Sequence, residues 1–249
     1  PPDSHKTFAL QVAAAGKPCC IEKPMAPSFA DCQAINAAFE ARNLPLFVAY
    51  YRRSLPRFVQ VKRWLDAGCI GTIRHVSWQL LRPPYPRDFE PAYNWRTDPA
   101  IAAGGYFDDL ASHGLDLICF LLGDIRNVSG HATNQLGLYQ SKDAVSASWL
   151  HENGATGCGA WNFGAHADVD SIVIYGSSGQ IEFSVFKNVP LVFCNQESRE
   201  EVIIDNPENI QLFHVQNLRE HLLGLSQHPS TGRSASHTAW VMDNILGKR

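Results

Sequence analysis

No Cys-x-x-Cys pair occurs among the seven cysteines of the 249-residue chain, at 19, 20, 32, 69, 119, 158 and 194. An odd set without paired spacing offers no disulfide framework and fits reduced, structural thiols in a cytoplasmic protein. No apolar run approaches the ~20 residues of a membrane span. The longest tight one, Leu117 to Leu122, has six residues. The opening "PPDSHK" has no signal-peptide pattern. Neither charge sign dominates: charged residues are 18% and the net charge is −3. Bulk electrostatics therefore predict no nucleic-acid partner and no anionic membrane.

What is present suits a globular protein. Apolar residues make up 45%, and a chain of this size buries roughly 70–75% of its unfolded surface. Residues 4–15 have helical spacing, with Phe8, Val12 and Ala15 as the expected inner stripe and Gly16 as the stop. A short strand follows at 18–22. Ser28 with Asp31 three positions on is a capping signal for a second helix, whose inner stripe is Phe29, Cys32, Ile35 or Asn36, and Phe39. "PLFVAY" (45–50) is another strand. Alternating helix and strand predicts a parallel sheet with helical cover, and two strands are only part of one. With Pro-Pro running straight into a helix and no initiator Met, the chain is expected to start mid-domain.

After a helix over 56–67 the texture changes. Segments 72–81, 126–136, 144–151, 156–163, 169–175, 180–186, 190–194 and 201–204 read as strands. "HENG" (151–154) and "GSSG" (176–179) are hairpin turns, and short turns between consecutive strands predict antiparallel pairing. Helices interrupt at 106–122 and close the chain at 211–227 and 234–246. The expected fold is α/β plus α+β. Residues 1–51 are a partial Rossmann-type parallel unit, and 52–249 are an α+β domain on a large, mostly antiparallel open sheet.

Two clusters carry chemistry. "CCIEKPMA" (19–26) puts Glu22 and Lys23 at the carboxyl end of a parallel strand, where ligands bind in open α/β sheets, and Pro24 fixes the exit. In "GGYFDDLASHGLDLICFLLG" (104–123), Asp109 and His113 stand at i, i+4 on one helix face and Asp116 continues it. Gly114 costs up to ~1 kcal/mol in a helix, which suggests room for a ligand beside His113. Taken singly, each residue has an ordinary explanation: a loop lysine paired with Glu22, dipole-favoured aspartates, a structural histidine. "HADVD" sets His166, Asp168 and Asp170 on one strand face, but no fourth ligand appears and no metal is expected.

Together these stretches resemble the Gfo/Idh/MocA oxidoreductases, the glucose–fructose oxidoreductase and inositol dehydrogenase family. "PPDSHKTFALQVAAAGKPCCIEKPMA" is similar to the stretch around the family's Glu-Lys-Pro motif, and "GGYFDDLASH" to its Gly-Gly turn followed by Asp-x-x-x-His. "YYRRSLPRFVQVKRWLDAGCIGTIRHV", "IVIYGSSGQIEF" and "SASHTAWVMDNIL" also match. The family's G-x-G-x-x-G turn, which seats the dinucleotide diphosphate on a helix N-terminus, does not occur in this sequence. "GATGCG" (154–159) lies between strands and is no substitute.

The resemblance implies an NAD- or NADP-dependent oxidoreductase. It would transfer a hydride between nicotinamide and a hydroxyl-bearing carbon of a sugar, polyol or cyclitol. Lys23 would stabilise the developing alkoxide, and His113 would be the general base or acid. Asp109 would orient His113 or bind a substrate hydroxyl. Pro2, His5, Glu22, Lys23, Trp95 and Arg96 would lie on the cofactor side. Tyr50 and Arg52 would lie on the substrate side, although alone they suit core packing and a solvated basic face. The peptide before Pro24 would be cis. The open sheet would form a homo-dimer or homo-tetramer. Without the glycine turn, cofactor binding by this chain is expected to be weak or absent. The alternative is a catalytically inactive sugar-sensing regulator.

Overall fold

The computed structural model describes residues 1–248. After a 3-10 turn at Pro2–Ser4, α1 (His5–Ala14), β1 (Cys19–Ile21), α2 (Phe29–Glu40) and β2 (Leu46–Val48) alternate. β1 and β2 pair in parallel, Cys20 opposite Phe47. Ser28 caps α2, its Oγ accepting from the Asp31 amide, and Cys32, Ile35 and Phe39 are buried. The inner face of α1 differs from the expected stripe. Ala9 and Ala13 are buried and Phe8 is 62% exposed, because small alanines let α1 lie close to its neighbours where a phenylalanine would hold them apart.

A 3-10 turn (Tyr51–Ser54) leads into α3 (Pro56–Asp66) and then β3 (Ile73–Leu81). A π-turn over Phe107–Ala111 runs into α4 (Ser112–Leu122). Then come β4 (Ile125–Thr133), β5 (Ala144–His151), β6 (Thr156–Asn162), β7 (Val169–Gly176), β8 (Gly179–Phe183), β9 (Leu191–Asn195) and β10 (Arg199–Val202). The strands form one eight-stranded sheet in the order β10-β9-β8-β7-β3-β6-β5-β4. Its hairpins are antiparallel as their turns require. β3 and β6, far apart in sequence, pair in parallel. The two last helices are α5 (Leu212–Leu222) and α6 (Gly232–Ile245). α5 stops short of the expected 227, since Gly224 takes a left-handed φ of 73°, the usual helix-ending conformation.

One sheet face packs on α4 through Val76, Trp78, Leu80, Trp161, Ile172 and Phe183, all buried. α4 is buried almost all round. Gly114 explains its closest approach: a Cβ there would lie 2.2–2.6 Å from the Trp78 ring. The glycine therefore admits an indole, and the expectation that it clears space for a ligand is corrected. Gly114→Ala should cost about 1–3 kcal/mol by overpacking, read from urea unfolding; wild-type stability in that variant would contradict the contact.

The smaller core is shared. Ala235 of α6 is buried among the residues of α1, α2 and β2. The Ser230 hydroxyl donates to the Val48 carbonyl at 2.8 Å. No helix among the described residues is long and apolar enough to cross a membrane.

Candidate active site

β1 delivers Lys23 from one side, and the π-turn before α4 delivers Asp109 from the other. The Lys23–Pro24 peptide is cis. Lys23 Nζ donates to Asp109 Oδ1 at 2.6 Å and to the Asp109 carbonyl at 3.0 Å. Arg96 Nε donates to Asp109 Oδ2 at 2.6 Å, and its guanidinium lies over the Trp95 ring at 4.4 Å. Both oxygens of Asp109 are thus committed to cations. Burial pushes this carboxyl up, but Lys23 and Arg96 outweigh it and hold its pKa below the ordinary aspartate value. Burial lowers the Lys23 pKa, more than its contact with Asp109 raises it.

His113 is reached from a different direction. Asp109 does not orient it; Arg52 does, with Nη1 2.8 Å from His113 Nδ1. A guanidinium can only donate, so Nδ1 must accept and the neutral ring carries its proton on Nε2. Burial, with the charges of Arg52 and Lys23, holds the His113 pKa well below 6.5. The ring packs edge-on against Tyr50, Tyr51 and Phe186, at 6.3, 5.6 and 5.8 Å between centroids. This geometry makes His113 a hydrogen-bond donor and a poor base.

Arg52 is not on a solvated face. It is 7% exposed, with Nε on the Val185 carbonyl and Nη1 also on the Tyr51 hydroxyl. Tyr50 is buried in the smaller core. Asp116 turns away from the Asp109 and His113 side. Its carboxylate takes both Arg53 Nε and Nη2 at 2.7 Å, and Thr238 Oγ1 donates to it at 3.2 Å. Arg53, Arg82 and Phe186 were not singled out from sequence. The signal for Arg53 was two consecutive arginines directly after a strand end.

The cofactor-side candidates are more scattered. Glu22 is exposed, with Oε2 on the Lys23 amide and Oε1 on Gln211. His5 Nδ1 donates to the Pro24 carbonyl at 3.0 Å. Pro2 meets Pro24, Tyr50 and Trp95 around a small enclosed cavity. Cys20 of β1 is exposed, with Sγ 3.5 Å from His214 Nε2. The acids of "HADVD" do not share a face. Asp168 pairs with Lys187 before β7 begins. Asp170 is buried, accepting from Trp78, Ser184 and the Phe186 amide. Among the described residues no three ligating side chains converge.

A parallel strand pair thus offers a lysine and a carboxylate at its carboxyl end, where open α/β sheets bind ligands, facing a helix that carries a histidine. Residues 1–50 match the model of an oxidoreductase family with an NAD-binding Rossmann fold, and residues 58–182 match the GFO/IDH/MocA C-terminal domain. The chain belongs to the Gfo/Idh/MocA oxidoreductase family. It is 31% identical over 248 residues to oxidoreductase P35 of Formosa agariphila, covering 99% of this chain and 76% of that protein. It is 29% identical over 138 residues to inositol 2-dehydrogenase 2 of Saccharopolyspora erythraea, 55% of this chain and 37% of that one. In fold it is similar to a levoglucosan dehydrogenase in complex with NADH and levoglucosan, with a TM-score of 0.88 at 21% identity over 100% of this chain and 75% of that one.

Proposed function

We propose that the chain carries the substrate site of an NAD- or NADP-dependent dehydrogenase acting on a hydroxyl-bearing carbon of a sugar or polyol. The observation that carries this reading is the meeting of Lys23 and Asp109, 86 residues apart, at 2.6 Å, beside His113. An exposed Glu22 and a largely buried Lys23 at the end of β1, with Trp95 nearby, fit the nicotinamide end of the cofactor. No glycine turn in these 249 residues offers a seat for the diphosphate. A bound nicotinamide would accept the hydride in oxidation and supply it in reduction.

The chain's own residues handle the oxygen and its proton. Lys23 is held by Asp109 through two of its donor positions, which leaves the third for the substrate oxygen. In oxidation the neutral amine takes the hydroxyl proton as the carbonyl forms; in reduction the ammonium returns it. His113 Nε2–H donates to the same oxygen and stabilises negative charge there. Arg96 keeps Asp109 ionised and so keeps Lys23 in place. The outer face of the central strands β3, β6 and β5, with Ser77, Cys158 and Ser148 in one cross-strand row, supports self-association as a dimer or tetramer.

The test is NAD(P)-linked turnover of sugars and polyols by the holoenzyme as a function of pH. Neutral Lys23 is the base, and burial has lowered its pKa from 10.5. Oxidation should therefore rise with pH through a break below that value, and reduction should fall across it. His113 does not ionise near neutrality, so no limb should appear near its ordinary pKa of about 6.5. A profile governed by such a limb would return the base role to His113, and no turnover with any polyol would remove the dehydrogenase reading.

A further inference from the structure

Arg52 and Arg53 are neighbours with opposite circumstances. Arg53 has its carboxylate, Asp116. Arg52 is as deeply buried, yet all its hydrogen-bond partners are neutral: the Val185 carbonyl, the Tyr51 hydroxyl and His113 Nδ1. Its Nη2 has no partner among the described residues. A guanidinium taken out of water without an anion is costly, and here the uncommitted nitrogen belongs to the group that also touches His113.

A second guanidinium stands one ring away. Arg52 and Arg82 lie 4.6 and 5.2 Å from the centroid of Phe186, the ring packed against His113. Arg82 Nη1 donates to the Tyr85 hydroxyl, while its buried Nε has no partner. Beyond Phe186, Arg82 lines an open cavity of about 410 Å³ together with the Lys187–Asp168 ion pair, which is neutral in sum. Around His113 there are four cations, Lys23, Arg52, Arg82 and Arg96, against two carboxylates, Asp109 and Asp170. Asp109 is shared by Lys23 and Arg96, and Asp170 is saturated by Trp78, Ser184 and the Phe186 amide. A neutral polyol leaves that positive excess unanswered, whereas one carboxylate on the substrate would meet it with charge-assisted hydrogen bonds.

We propose that the substrate is an anionic polyol, a sugar acid whose carboxylate is held by Arg52 with Arg82 behind it. This rests on the dehydrogenase reading for the reaction, though not for the binding. The experiment compares matched acids and neutral partners: D-gluconate with D-glucitol, D-galactonate with galactitol, D-glucuronate with D-glucose. Binding is followed by calorimetry or ligand-observed NMR at fixed ionic strength, and turnover is measured separately in the holoenzyme.

At least one acid should bind about tenfold or more tighter than its neutral partner, with the margin shrinking as salt is raised. Arg52→Gln should remove the margin between each acid and its neutral partner, whatever it does to the neutral partner's own affinity through His113. Arg82→Gln, on the outer side of Phe186, should reduce it and carries the test if Arg52→Gln does not fold. No acid preference in any pair, or one that survives both substitutions, overturns the proposal. Acid preference without NAD(P)-linked turnover would keep the proposal and sink the dehydrogenase reading. Turnover of neutral polyols without acid preference would do the reverse.

Discussion

Lys23→Met lowers kcat in the holoenzyme by about a thousandfold, within the ~10²–10⁴ range of a positioned proton-transfer group, while the protein stays folded. The substitution keeps the aliphatic stem and removes only the ammonium. Asp109 then retains Arg96 at 2.6 Å, so its charge is still answered and the π-turn keeps its anchor. The loss should fall on kcat more than on KM, because the alkoxide forms only on the way to the transition state. Lys23→Arg should not restore activity, since a guanidinium stays protonated at any working pH. Steady-state kinetics alongside circular dichroism decide the matter; turnover within about threefold of wild type would remove Lys23 from the chemistry.

The largest effect on stability should come from separating Arg53 and Asp116. Arg53 is 6% exposed and Asp116 is completely buried, and two parallel N–H···O bonds join them. Removing one partner strands the other charge in the interior, which costs about 3–5 kcal/mol. Asp116→Ala and Arg53→Ala should each lose about that much in urea unfolding, and the double variant should lose clearly less than their sum. Arg53→Lys should not rescue, because an ammonium cannot form the fork. A loss below about 1 kcal/mol in both single variants would mean that the pair is solvated in solution.

Much of the architecture could be read from local chemistry. Ser28 with Asp31 marked the start of α2, the Asn-Gly of "HENG" marked a hairpin, and short turns set off the strands. The parallel pairing of β3 with β6 could not, because no turn joins them and only the finished sheet sets their register. In the site, Lys23 was legible from its place at a strand end, and Asp109 and His113 from their spacing. Their bonding was not. Helix spacing put Asp109 under His113, but the π-turn over Phe107–Ala111 rotates the carboxylate toward Lys23 and Arg96. Gly114 likewise looked like a gap for a ligand, when what it admits is an indole from a strand 36 residues earlier. Arg52 suited a solvated basic face because a sequence shows charge and hides burial.

The smaller core closes only when residues far apart in sequence meet. Ala235 packs with Cys32, Ile35 and Val48, Phe47 forms a bridge with Thr231, and Ser230 bonds Val48 across 182 positions. During synthesis, therefore, α1, β1, α2 and β2 leave the ribosome long before their last wall exists. The loop-closure entropy of that seam is met late and at high contact order. Until α6 docks, the strand pair bearing Lys23 has an incomplete apolar lining, and a chain stalled before residue 230 exposes it to aggregation.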